Sequence, residues 1–180
     1  MASHGPLSLK ARAIGLLAQR EHSRAELRRK LLRIDQQQRS RQADTPTSDA
    51  EAGEAGVASP GDTDADDDLQ ARSTAVDALL DSLAAEGYLD ETRFIESRLH
   101  VRAGRFGAQR IQQELARHGL KLDADQQATL RETELERARE VWHKRFGAEP
   151  SREATEQARQ TRFLLTRGFA PDLVRRLLRA

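Results

Sequence analysis

The chain has 180 residues, of which 37% are apolar, 4% aromatic and 33% charged, a composition too poor in large apolar side chains for one thick core and better suited to small helix–helix contacts. It has no cysteine, which excludes disulfide scaffolds, thiol redox chemistry, zinc ribbons and cysteine nucleophiles. The net charge of +1 conceals segregation: residues 1–42 hold ten Lys or Arg against three acids (+7), residues 43–70 no base and nine acids (−9), and residues 71–180 twenty bases and seventeen acids (+3).

Residues 1–9 read as a tail. The longest early apolar run, Ala13 to Ala18 with Gly15 inside it, is too short for a signal peptide's apolar region or a membrane span. A soluble, cytoplasmic monomer with no membrane partner is therefore expected. Lys10, Arg12 and Arg20 stand near the start without an acid, a loose likeness to an organelle transit peptide, but the segment serves better as an opening helix.

From there the apolar spacing is helical throughout, and one grammar recurs three times. Leu16-Leu17 precedes Arg20-Glu21-His22-Ser23-Arg24-Ala25-Glu26-Leu27 and Leu31; His100-Val101 precedes Gly104-Arg105-Phe106-Gly107-Ala108-Gln109-Arg110-Ile111 and Leu115; Phe163-Leu164 precedes Arg167-Gly168-Phe169-Ala170-Pro171-Asp172-Leu173-Val174 and Leu178. Each reads as helix, tight turn, helix. With Ser23, Gly107 and Ala170 as N-caps, His22, Phe106 and Phe169 fall one residue before the cap. Leu27, Ile111 and Val174 then fall four residues after it, which is hydrophobic-staple spacing. Ser23 with Glu26 also makes a full capping box, and Pro171 falls at a first helical position, where its missing N–H costs nothing.

After the second helix comes an acidic stretch with Pro46, Pro60 and three glycines, which cannot bury enough apolar surface to offset the entropy of ordering. A disordered acidic insertion is predicted over about 35–70. Its aspartate run, Asp64 to Asp68, lacks the spaced ligands and closing Glu of a calcium loop. Beyond it, Val76, Leu79, Leu80 and Leu83 form one stripe, Asp90 caps the next helix, and Leu135, Ala138, Val141, Trp142 and Phe146 line another face. Gly87, Gly119 and Gly168, each followed by an apolar residue, read as helix stops. The fold expected is all-α, with three tandem three-helix repeats in an elongated, curved array. Repeat 1 spans 10–86, repeat 2 spans 87–130 and repeat 3 spans 131–180.

Catalytic constellations are missing. The five histidines never fall at metal-binding spacing, and there is no phosphate-cradling loop, nucleophile elbow or carboxylate pair in an apolar setting. No catalytic residue, metal or cofactor is expected, and the chain is read as a non-enzyme. Gly104 and Gly107 form the GxxG of KH domains, but between helices in a chain without strands. Trp142 lies in an apolar stripe and reads as core. What remains is arginine, recurring at equivalent places on the second helices and their turns. Its planar fork suits carboxylates and phosphates, so an acidic protein surface, a nucleic acid or both are implied.

The runs Arg20 to Leu31, Glu86 to Phe94, Arg110 to Leu115 and Arg167 to Phe169, in that order, resemble the RecX regulatory family from about residue 10 to the C-terminus. The resemblance implies a negative modulator of the RecA recombinase, in recombinational DNA repair and the SOS response. Such a protein would bind RecA filaments on single-stranded DNA and hinder their ATPase, strand exchange and growth. The contact residues expected are Arg24, Arg28, Arg105, Arg110, Arg167 and Arg175. The alternative is a direct, weakly specific nucleic-acid binder, since the helix pair around Arg102 to Gly107 superficially resembles a helix-turn-helix.

Overall fold

A computed structural model describes residues 7–43, 62–147 and 153–179. Among these the chain is helical without strands. In chain order come α1 (Leu9–Gln19), α2 (Arg24–Ala43), α3 (Asp62–Ala85), α4 (Glu91–Ala103), α5 (Ala108–Ala116), α6 (Ala124–Glu132), α7 (Glu134–Phe146), α8 (Ala154–Thr166) and α9 (Pro171–Arg179). The chain divides into two compact units, Met1–Asp90 and Glu91–Ala180. The first holds α1–α3 and the second α4–α9.

Three small cores account for the tandem pattern. Ala13, Leu27, Leu31, Val76, Leu80, Leu83 and Leu89 close the first repeat. Phe94, Ile95, Ile111, Leu115, Leu120, Leu122 and Leu130 close the second. In the third, Trp142, Leu164, Phe169 and the apolar side of α9 come together, and the buried Trp142 indole N–H donates to Gln160 Oε1 at 3.0 Å. Trp142 is therefore core, with its polar atom satisfied as burial requires. Removing any of the fully buried leucines should cost about 2–5 kcal/mol, a large share of what such small cores supply.

The turns follow the residue chemistry. Ser23 Oγ accepts from Glu26 N–H at 3.1 Å, and the staple partners His22 and Leu27 are both buried. Gly87, Gly119 and Gly168 sit at φ of 76°, 76° and 80°. Each closes its helix with a pair of bonds: Tyr88 N–H to Leu83 O (2.9 Å) with Gly87 N–H to Ala84 O (3.0 Å), Leu120 to Leu115 (3.0 Å) with Gly119 to Ala116 (3.0 Å), and Phe169 to Leu164 (3.3 Å) with Gly168 to Leu165 (2.9 Å). These are Schellman closures, in which a left-handed residue satisfies two terminal carbonyls.

The expected insertion needs correction at both ends. Helix α2 continues to Ala43 and α3 begins at Asp62, so much of the stretch from about 35 to 70 is helical; residues 44–61 lie outside the described residues. The reason is partly local, because extending an existing helix is far easier than nucleating one. It is also tertiary: Arg72 Nε lies 2.7 Å from Asp35 and Arg39 Nη1 3.1 Å from Asp68, tying the two helices together beyond their leucines.

Candidate partner-binding surface

Of the expected contact residues, Arg24 and Arg28 lie on α2 facing the carboxylates of α3. Arg24 Nη1 is 2.7 Å from Asp81. The Arg28 fork grips Asp77, Nε to Oδ1 at 2.6 Å and Nη2 to Oδ2 at 3.0 Å, and also meets Ser73 Oγ. That bidentate hydrogen bonding raises the Arg28 pKa and lowers that of Asp77. With Arg72–Asp35 and Arg39–Asp68, four arginines are paired between the two helices. In the same unit His22 is 1% exposed, its Nδ1 3.3 Å from a Glu26 oxygen.

Repeats 2 and 3 are arranged differently. The turn between α4 and α5 carries Phe106, whose ring lies under three guanidiniums, Arg110 at 4.6 Å, Arg102 at 5.6 Å and Arg105 at 6.0 Å. In the third repeat Arg167 stacks on Phe163 at 3.9 Å. These clusters are joined by backbone: Gly107 N–H donates to Arg167 O at 2.9 Å, and Arg110 Nη1 donates to Thr166 O at 3.0 Å. The Arg167 guanidinium is pushed to lower pKa by burial first and then by the positive charges of Arg105, Arg110 and Arg145. Four guanidiniums therefore crowd one surface. Among the described residues, Arg105, Arg110, Arg145 and Arg167 have no carboxylate partner. Beside them runs a groove of about 740 Å³, lined by Gln109, Arg110, Gln113, Arg117, Leu165 and Thr166 among others.

Two glycines permit that juxtaposition. A Cβ on Gly107 would stand 2.2 Å from Gly168 O, and one on Gly168 would stand 2.5 Å from Arg110 Cβ. The two turns thus meet backbone to backbone, a contact that the reading of Gly107 as a cap and Gly168 as a stop does not contain. The remaining expected residue, Arg175, lies apart from this cluster on the exposed side of α9 with Arg176 and Arg179, opposite Leu173, Val174, Leu177 and Leu178.

Sequence reasoning missed Arg145, Glu134 and Arg137. Glu134 is 5% exposed, and its Oε1 accepts from Ala108 N–H at 2.9 Å, giving α5 the capping acceptor that Gly107 lacks. The absence of a side chain on that cap was the one available clue that an acceptor must come from elsewhere. Arg137 donates to three carbonyls, Ala103 (2.8 Å), Phe106 (2.9 Å) and Leu130 (2.7 Å), and its burial lowers its pKa.

The third repeat, residues 132–178, matches the family profile described as RecX, third three-helix domain. Over nearly its full length the chain is 45% identical to a protein of Leptothrix cholodnii named Regulatory protein RecX, across 99% of this chain and 93% of that one. The chain belongs to the RecX regulatory family. RecX proteins of Ralstonia pickettii (41% identical, covering 96% of this chain and 87% of the relative) and Pseudomonas putida F1 (36%, covering 96% and 90%) extend the likeness. The likeness thus covers 96–99% of the chain and is not confined to the third repeat. Among the described residues, no helix is long and apolar enough to cross a membrane, and no group of three or more His, Asp or Glu is placed to hold a metal ion.

Proposed function

We propose that this protein is a cytoplasmic, non-enzymatic negative regulator of the RecA recombinase, acting as a monomer on RecA filaments assembled on single-stranded DNA. Binding there lowers ATPase and strand exchange and hinders filament extension. The observation that carries the reading is the cluster of Arg105, Arg110, Arg145 and Arg167 without carboxylate partners, in a chain whose family is regulatory. Arg105, Arg110 and Arg167 lie over aromatic rings, and Arg167 is partly desolvated and repelled by Arg105, Arg110 and Arg145, so an incoming carboxylate or phosphate relieves repulsion as well as forming hydrogen bonds. Arg175 offers a separate basic patch on α9 with Arg176 and Arg179. Arg24 and Arg28, in the other unit, reach a partner only by exchanging Asp81 and Asp77 for its anions, and contribute less.

The competing reading is a direct, weakly specific nucleic-acid binder. Phe106 and Phe163 would be its stacking platforms, but guanidiniums already lie over both rings, which disfavours base stacking and leaves backbone contact. Measuring RecA's single-stranded-DNA-dependent ATPase against increasing amounts of the protein tests the proposal, with labelled single-stranded DNA titrated in parallel without RecA. Inhibition with weak, salt-sensitive DNA binding is expected. Tight DNA binding without RecA, or no inhibition, contradicts it.

A further inference from the structure

We infer that Arg137 is a positioning residue for the arginine cluster: from helix α7 it fixes the turn that presents Arg105 and Phe106, without itself belonging to the contact surface. The inference rests on the reading of that cluster as the RecA-binding site. Arg137 Nη1 donates at once to Ala103 O (2.8 Å) and Phe106 O (2.9 Å), the carbonyls on either side of the Gly104-Arg105 turn. Its Nη2 holds Leu130 O at 2.7 Å and its Nε holds Thr133 Oγ1 at 3.2 Å, so all three guanidinium nitrogens are engaged in one fixed fork. Neighbouring Glu134 holds the other side of the same turn through Ala108 N–H. One turn of α7 thus clamps residues 103 to 108 by side chains that reach from repeat 3 into repeat 2. Arg105 has an exposed side chain on a turn with a glycine on one side, held within the turn by its own N–H to Arg102 O at 3.0 Å. Arg137 differs from the cluster arginines in having all three guanidinium nitrogens engaged, whereas Arg110 is bonded through Nη1 to Thr166 O. A planar, five-donor guanidinium can bridge several carbonyls in this way, and a lysine cannot.

The test uses the full chain and the concentration giving half-inhibition of RecA's single-stranded-DNA-dependent ATPase. Arg137→Met is compared with the double variant Arg105→Gln, Arg110→Gln and with the triple variant, with helical circular dichroism recorded for each. Arg137→Met should weaken inhibition by about five- to tenfold. The triple variant should be weaker than the double by less than about twofold, because Arg137 acts through the residues already removed. Amide exchange should quicken at residues 105–108 while the α8–α9 core stays protected. If Arg137→Met does not fold, Arg137→Lys, which keeps one carbonyl bond, carries the same comparison with an intermediate loss. Undiminished inhibition by a folded Arg137 variant, or losses that multiply in the triple, overturns the positioning role. No loss in the Arg105, Arg110 double variant instead overturns the reading of the cluster as the binding site.

Discussion

The two halves of this molecule use arginine in opposite ways. Met1–Asp90 carries eleven Lys or Arg and sixteen Asp or Glu, a net −5, whereas Glu91–Ala180 carries nineteen and thirteen, a net +6. In the first unit the guanidiniums of α2 meet carboxylates of α3, and Arg28 holds Asp77 with two hydrogen bonds. In the second, Arg105, Arg110, Arg145 and Arg167 meet aromatic rings, backbone carbonyls and one another. Counting arginines at equivalent repeat positions therefore does not locate a binding surface. What matters is whether the neighbouring helix supplies acids, and α3 does so with Asp68, Asp77 and Asp81.

The largest expected effect is at the glycine joint of the second unit. Gly107→Ala would press a methyl group into the Gly168 backbone, so repeats 2 and 3 should lose about 3 kcal/mol or more of stability. Urea unfolding followed by circular dichroism would show this, and Gly104→Ala, with open space around its Cβ position, serves as the control. A smaller effect is expected in the first unit. Asp77→Asn with Asp81→Asn should release Arg28 and Arg24, at a stability cost of about 1 kcal/mol or less per exposed pair. It should also strengthen RecA inhibition by about two- to threefold at low salt, with the gain fading as salt screens it.

The smallest effect is a pH dependence confined to the first unit. Burial, then the charge of Arg20, depresses the His22 pKa from its ordinary 6.5, against an opposing pull from Glu26; Lys30 depresses it further. The unfolded chain then binds a proton that the folded chain refuses, so stability falls as pH drops from 6.5 through the lower folded value. Glu26, whose folded pKa is held below 4.5 by its Arg20 hydrogen bond against the opposing effect of burial, adds a loss only below 4.5. His22→Phe, which installs the aromatic staple that the other two repeats already have, should flatten the upper part of that slope in thermal melts.

Much of the fold is legible in the sequence because its signals are local. Staple spacing, Ser23, Pro171 and the three left-handed glycines mark helix ends by chemistry within a few residues, and they fall where the structure has them. The helical continuation through Asp35 to Ala43 and from Asp62 is not legible in the same way. It depends on Arg72 and Arg39 finding Asp35 and Asp68 across two helices, a register that no local pattern specifies. The contact residues divide on the same principle. Arg105, Arg110 and Arg167 follow from the repeat grammar, and the structure gathers them. The pairing of Arg24 and Arg28, the backbone meeting of Gly107 with Gly168 and the clamp from Arg137 depend on residues tens of positions away.

The most direct test of this account compares two double variants in one assay of RecA's single-stranded-DNA-dependent ATPase. Arg105→Gln with Arg110→Gln should raise the concentration for half-inhibition by about tenfold or more, and Arg24→Gln with Arg28→Gln by less than about threefold. Equal losses from the two pairs, or a larger loss from Arg24 and Arg28, would contradict the claim that unpaired guanidiniums define the binding surface.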